Sequence, residues 1–222
     1  MKKVNAIAID GPAGSGKSTV AKEVAKRLGF LYVDTGAMYR ALTFKAIDTG
    51  TDFTDEKALI GLSEKSDIEL KNTGESLEVY LDKKDVTREI RTMEVTRKVK
   101  ILASIGKIRE NMVRLQRKMG EVSSGCVLEG RDIGTVVFPD AKNKFYLDGD
   151  FNVRVKRRFD ELKARNLDVP VEEVENDLIA RDTSDITRKV GPLKKADDAV
   201  VVDTTLMTAG EVVDKILSFI KK

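Results

Sequence analysis

Histidine and tryptophan are absent from the 222 residues, and cysteine occurs once. Without histidine there is no imidazole acid/base chemistry, no histidine-dependent catalytic triad and no histidine-ligated zinc. The lone thiol, Cys126, excludes an internal disulfide and any multi-cysteine metal site, and its setting in Cys126-Val127-Leu128 predicts an inert, buried strand residue. Long apolar runs are missing as well, since nothing approaches the roughly 18 residues of a membrane span. Met1-Lys2-Lys3 leads into a polar-interrupted strand without the apolar region of a signal peptide. The expectation is a soluble, cytoplasmic protein with no membrane partner. The 40 basic residues exceed the 37 acidic ones by only three, too few to argue for a nucleic-acid partner. Whatever chemistry the chain performs must rest on arginine, lysine and carboxylates.

What is present begins with Gly11-Pro12-Ala13-Gly14-Ser15-Gly16-Lys17-Ser18, two glycines separated by four residues and followed by lysine and a hydroxyl. Before it lies the strand-length apolar run Val4 to Asp10, and after it Ser18 to Leu28 carries apolar residues at helical spacing. Strand, glycine loop and helix together form a phosphate cradle: backbone N–H groups point inward and the new helix presents its positive end. In such a cradle Lys17 reaches the β- and γ-oxygens, and Ser18 can ligate magnesium.

Phe30 to Val33 reads as a second buried strand, followed by a helix from Met38 to Ile47, and further strands are expected at Cys126 to Glu129, Lys144 to Leu147 and Ala199 to Val202. Such alternation predicts an α/β chain with a five-stranded parallel sheet flanked by helices and ligands at the carboxyl ends of the strands. One segment breaks the pattern. Ile68 to Leu70, Leu77 to Leu81 and Asp85 to Thr87, joined by turns at Asn72-Thr73-Gly74 and Asp82-Lys83-Lys84, predict a small antiparallel insert. A basic helical stretch from Thr92 to Met119, broken near Gly106, returns to the sheet, and Thr208-Ala209-Gly210-Glu211 is a capping box opening the final helix. A single domain over 1–222 is expected, with the insert at about 52–92 and a lid at about 150–168.

A phosphate cradle alone does not separate a kinase from a GTPase or a motor. Four charged constellations narrow the choice: Asp34 to Arg40; Glu129-Gly130-Arg131-Asp132-Ile133-Gly134-Thr135; Arg181, Asp185 and Arg188 at helical spacing; and the basic stretch of Arg154, Lys156, Arg157, Arg158, Lys163 and Arg165. Singly, the last two read as solvated helix faces. Beside the cradle, arginines at strand carboxyl ends point to an acceptor that itself carries phosphate. A regulatory GTPase would need an Asn-Lys-x-Asp guanine reader, and the nearest match, Asn143-Lys144-Phe145-Tyr146, ends in tyrosine. Kinases with UMP, AMP or a shikimate-like acceptor share the cradle, and a nucleic-acid-binding ATPase could use the Arg154 to Arg165 stretch.

These motifs, with Val136-Val137-Phe138-Pro139 after the second constellation, Asp85 to Thr92 in the insert and Ile108-Arg109-Glu110 beyond it, closely resemble the bacterial cytidylate kinases, nucleoside monophosphate kinases with the P-loop fold. The resemblance implies transfer of the γ-phosphoryl group of ATP to CMP, and to dCMP, with Mg²⁺, by a monomer. It implies that Gly11, Pro12, Ala13, Gly14, Ser15, Gly16, Lys17, Ser18 and Thr19 hold ATP together with Arg157 and Arg158 of the lid, and that Ser18 holds the metal. Lys17, Arg131 and Arg158 would carry the transfer itself. Arg40 and Arg131 would hold the acceptor phosphate, Thr35, Arg109, Asp132 and Arg188 the pyrimidine, and Arg181 and Asp185 the ribose, with Asp34, Tyr39 and Lys100 completing the acceptor site. Lys100 stands where the family often has serine near the sugar, and Gly106 where relatives often carry proline. At Asp132 the chemistry favours cytosine, because a carboxylate accepts from the N4 amino group whereas uracil offers O4, a second acceptor.

Overall fold

In the computed structural model the described residues are 4–73 and 76–220, so Met1, Lys2, Lys3 and the expected turn residue Gly74 lie outside them. Strand β1 (Ala6–Asp10) is buried along its whole length, as an unbroken apolar run between two helical layers requires. It pairs in parallel with β6 (Cys126–Gly130) and β7 (Asn143–Asp148). β2 (Leu31–Asp34) lies outside β6 and β8 (Val200–Asp203) outside β7. This five-stranded sheet, in the order β2-β6-β1-β7-β8, is the one anticipated from the sequence. Its register brings the last residues of the strands to one edge, with Asp10 opposite Gly130, Asp34 opposite Glu129 and Asp148 opposite Asp203.

Helices α1 (Lys17–Leu28) and α2 (Thr35–Asp48) follow the first two strands. Between α2 and the next long helix stand α3 (Glu56–Glu64) and the antiparallel strands β3 (Ile68–Thr73), β4 (Ser76–Leu81) and β5 (Lys84–Asp85). β5 stops short of the expected Thr87 because the Thr87 hydroxyl, rather than its backbone, accepts the Val79 N–H at 2.9 Å, and the chain turns at once into a 3₁₀ turn at Glu89–Arg91. β4 and β5 meet through Asp82 and Lys83, both at positive φ (50° and 71°), and Lys45 of α2 holds Asp82 in a 2.6 Å ion pair. The expected long helix is two, α4 (Met93–Ser104) and α5 (Gly106–Glu121), separated by the extended Ile105. The second half adds a π-helical turn at Ile133–Val137, then α6 (Phe151–Ala164), α7 (Val171–Thr187) and α8 (Ala209–Phe219), the last opened by the expected Thr208–Glu211 capping box.

One apolar cluster runs through both sheets: Ile7, Leu128 and Phe145 of the parallel sheet belong with Leu59, Val79 and Ile90 of the inserted segment. Cys126 is buried in it, and burial pushes its thiol up to about 11. A smaller cluster joins Val155 and Leu162 of α6 to Val174 and Leu178 of α7 and to Ala13. No described helix is long and apolar enough to cross a membrane.

Leu59, fully buried, ties α3 to the main cluster. Leu59→Ala is expected to cost about 2–5 kcal/mol of unfolding free energy through lost burial and the cavity left behind. In urea denaturation this reads as a lower midpoint within a single transition, and a separate early transition of the inserted segment would contradict the shared core.

Candidate active site

The loop between β1 and α1 wraps close to the sheet because Gly11 has no side chain. A Cβ there would stand 2.0 Å from the Leu147 carbonyl oxygen, and φ is +152°. Gly11 and Pro12, the first residues of this loop, are buried and do not line the cleft of about 1210 Å³ that Ala13, Gly14, Ser15, Gly16, Lys17, Ser18 and Thr19 border. Lys17 Nζ donates to Pro12 O at 2.6 Å and to Ser15 Oγ at 3.3 Å. Burial pushes the Lys17 ammonium down to about 7, with Arg131 adding to the effect and Glu129 opposing it. Glu129, at the end of β6, hydrogen-bonds with Ser18 and accepts from Tyr32 Oη at 2.6 Å. Its carboxyl is raised by burial and then by Asp34, against Lys17 and these two hydroxyls.

The other wall of the cleft descends from β2 and β6. Asp34 accepts Ala37 N at 2.8 Å, capping α2, and takes Arg40 Nη2 at 2.9 Å with its other oxygen. Thr35 Oγ1 donates to Glu129 O at 2.7 Å. Tyr39 follows on α2, and its buried hydroxyl has no hydrogen-bond partner among the described residues. Arg109 of α5 lies over the Tyr39 ring at 5.5 Å, donates to Asp132 Oδ2 and reaches Ala103 O at 3.2 Å. Arg188, at the end of α7, donates to Asp185 Oδ1 at 3.1 Å and Gly191 O at 2.6 Å, and stands 3.9 Å from Asp132 Oδ1. Arg131 Nε meets Asp185 Oδ2 at 2.6 Å.

Electrostatically this wall is a set of guanidinium groups spaced by two carboxylates. Burial alone would raise Asp185, but Arg131, Arg181 and Arg188 outweigh it and hold the carboxyl below its usual range. Arg181 is pushed down to about 10 by burial and by Arg131, against the pull of Asp185. A region in which a guanidinium loses affinity for its proton is one that gains from an incoming anion.

All the acceptor-side residues expected from the sequence, from Asp34, Thr35, Tyr39 and Arg40 through Lys100, Arg109, Arg131 and Asp132 to Arg181, Asp185 and Arg188, line this same cleft. Lys100 is exposed on its α4 wall. Arg157 and Arg158 reach the cleft from α6. Arg157 is bound to Thr204 Oγ1 (2.9 Å) and Thr204 O (2.6 Å), whereas Arg158 pairs with Glu161 at 2.8 Å. Asp150, rather than Asp148 at the end of β7, caps α6 through Asn152 N and Val153 N, because two further residues lead off the strand before the helix begins.

Three carboxylates received no role from the sequence, although Glu129 opens one of the charged constellations. Asp10 accepts from Ile133 N and Gly134 N at 2.8 Å each, anchoring the loop that carries Arg131 and Asp132. Burial pushes it up to about 6 against those two N–H groups. Glu129 stands behind Ser18, and Asp182 Oδ1 accepts Ala13 N at 3.1 Å. Position offered one clue, since Asp10 and Glu129 end strands on either side of the phosphate loop. For magnesium, the Ser18 hydroxyl backed by the Glu129 carboxylate is an oxygen-only donor set suited to a hard cation. Among the described residues no group of three or more metal-ligating side chains competes with it.

A sequence model of the cytidylate kinase family matches residues 7–222. The chain is 49% identical to a cytidylate kinase of Bacillus pumilus over 98% of its own length and 96% of that protein's. It is 45% identical to a cytidylate kinase of Bacillus subtilis over 100% and 99%. A gluconokinase from Sinorhizobium meliloti, at 13% identity and a TM-score of 0.50 over 96% of this chain and 90% of that one, shares the fold. With a family match that spans nearly all of its length, the chain belongs to the cytidylate kinase family.

Proposed function

We propose that this protein transfers the γ-phosphoryl group of ATP to CMP and dCMP, giving ADP and CDP or dCDP, as a cytoplasmic monomer whose acting groups all come from one chain. The observation that carries this reading is the single cleft in which the phosphate loop faces Arg40, Arg131 and Asp132. A donor polyphosphate bound at Lys17 and Ser18 then meets an acceptor phosphate held by Arg40 and Arg131 inside one cavity. The inserted segment and the α6 region close over it as the acceptor cover and the lid of one kinase domain.

The chemistry asks little proton transfer of the protein. An acceptor phosphate has a second pKa near 6, so at neutral pH it is mostly dianionic and attacks the γ-phosphorus in line without a general base. What opposes the reaction is the approach of two polyanions. Lys17, Arg131 and Arg158 neutralise charge on the moving phosphoryl group and its neighbours, and Arg157, fixed on Thr204, steadies the donor side. Ser18, with Glu129 behind it, would hold magnesium, which supplies further neutralisation of the β- and γ-phosphates. Arg40 stays aligned by Asp34, and Arg131 by Asp185, so both guanidinium groups are preset for the acceptor.

Base choice follows from the pairing at Asp132. With Arg109 holding Oδ2 and Arg188 near Oδ1, the carboxylate stays a fixed acceptor for the N4 amino group of cytosine. Thr35 and Tyr39 complete the wall near the base, and Arg181 and Asp185 flank the ribose. Lys100 contributes a flexible cation at the sugar side.

Steady-state kinetics with ATP and a panel of CMP, dCMP, UMP, AMP and shikimate test the assignment: kcat/KM is expected to be highest for CMP and dCMP, and a preference for any other acceptor would sink it. Asp132→Asn keeps the side-chain volume and the Arg109 acceptor but turns an amide donor toward the base. The CMP to UMP ratio of kcat/KM is therefore expected to fall by about ten- to a hundredfold, equivalent to roughly 1–3 kcal/mol. A ratio unchanged within twofold would dissociate Asp132 from base choice.

Lys17 makes donor binding pH-dependent. In the folded protein its ammonium gives up its proton around pH 7, and a bound polyphosphate favours the charged form, so binding draws a proton from solvent above that pH. Affinity for a non-hydrolysable ATP analogue with Mg²⁺ is expected to weaken as pH rises from 7.5 to 9.5, by at most about tenfold per pH unit. Calorimetry in buffers of different ionisation enthalpy should register the proton uptake. Lys17→Arg, charged throughout, should flatten the profile, and an equally steep profile in that variant would exclude Lys17 as the group responsible.

A further inference from the structure

Arg154 and Asp182 are not accounted for by the reading above, yet Arg154 is buried, Asp182 is partly so, and both contact the phosphate loop. Asp182 Oδ1 accepts the Ala13 N–H at 3.1 Å, and Arg154 Nη1 donates to Ala13 O at 2.9 Å, so one peptide unit on either side of Ala13 is gripped by each side chain. The two are joined by a 2.5 Å ion pair between Arg154 Nη1 and Asp182 Oδ2, and Arg154 Nε is fixed on Gly149 O at 3.1 Å. The Ala13 side chain meanwhile enters the small apolar cluster of Val155, Leu162, Val174 and Leu178. At Gly14 the loop backbone presses on α6 so closely that a Cβ would stand 2.8 Å from Arg154 O.

The helical positions give this contact a direction. Val174, Leu178 and Asp182 form one i, i+4 row of α7, facing α6 and the loop, while Arg181 and Asp185 form the adjoining row, facing the acceptor cavity. A shift of α7 as Arg181 and Asp185 engage a nucleotide therefore cannot leave Ala13 where it was. The loop that binds the donor phosphates has one residue embedded in the same two helices that bear acceptor contacts and lid arginines.

We propose that Arg154 and Asp182 are positioning residues that couple the two substrate sites: their grip on Ala13 transmits acceptor occupancy on α7 to the conformation of the donor phosphate loop. The inference rests on the reading that CMP and ATP share the cleft. Its consequence is that CMP and the ATP analogue each tighten the binding of the other, by the same factor, through this pair.

The test is a thermodynamic coupling measurement on the full-length protein. The Kd of a non-hydrolysable ATP analogue with Mg²⁺ is measured with and without saturating CMP, in the wild type, in Asp182→Asn and in Arg154→Met/Asp182→Asn. The double variant removes both charges, so no buried ion is left unpaired, and circular dichroism and thermal melts verify that each variant is folded. In the wild type CMP is expected to tighten analogue binding about fivefold or more. In both variants that factor should fall below twofold, while the Kd for CMP alone stays within twofold of wild type. A pair with a purely structural role would lower the active fraction and leave the coupling factor intact, so an unchanged factor in folded variants overturns the proposal, as does a wild type without coupling. Failure of the wild type to phosphorylate CMP at all would instead overturn the functional reading, which a separate turnover assay establishes.

Discussion

Asp132 and Asp185 allow Arg109, Arg131, Arg181 and Arg188 to share one buried wall. Guanidinium groups brought together out of water repel one another and lose hydration, and neither cost is met by packing. Asp132 takes Arg109 on one oxygen and has Arg188 near the other, Asp185 takes Arg131 and Arg188 on its two oxygens and attracts Arg181 through space, and the backbone carbonyls of Ala103 and Gly191 take remaining donors. The compensation is incomplete at Arg181, which gives up its proton more easily than an arginine in water. Charge is thus stored in a form that an incoming anion would relieve, and the energy of binding one would go into correcting that imbalance rather than into arranging the wall.

The parallel sheet supplies the frame for this arrangement. Its register aligns the ends of β1, β2 and β6, so that Asp10, Asp34 and Glu129 sit at one edge with different tasks. Asp34 aims an arginine and caps a helix, Asp10 anchors the loop bearing Arg131 and Asp132, and Glu129 backs the Ser18 hydroxyl. The raised pKa values of Asp10 and Glu129 express the cost of keeping such carboxyls dry beside a site meant for anions.

Much of this was legible from the chain because its signals are local. The phosphate loop, the strand-length apolar runs and the Thr208–Glu211 capping box each lie within a dozen residues and stand where the sequence put them, and Arg181 and Asp185 share a helix as their spacing suggests, whereas Arg188 falls just past its end in extended backbone. The family resemblance added the roles of individual side chains, which spacing alone does not carry. What stayed hidden depends on partners distant in sequence: Asp10 bonds Ile133 across 123 residues, Tyr32 bonds Glu129 across 97, and Ala13 bonds Asp182 across 169. The strand end was misjudged at β5, where a threonine hydroxyl replaced a ladder bond, because it depends on which of several neighbouring polar groups turns inward.

Cys126 lies in the central sheet, fully buried and with its thiol held in the unreactive protonated form. Together with the lack of tryptophan, this leaves the native chain silent to thiol-directed dyes and to indole fluorescence under non-denaturing conditions. A cysteine or tryptophan introduced on the exposed face of α6 would consequently report from a single known point, and the opening and closing of the cleft could be followed by spectroscopy without first stripping the protein of competing probes.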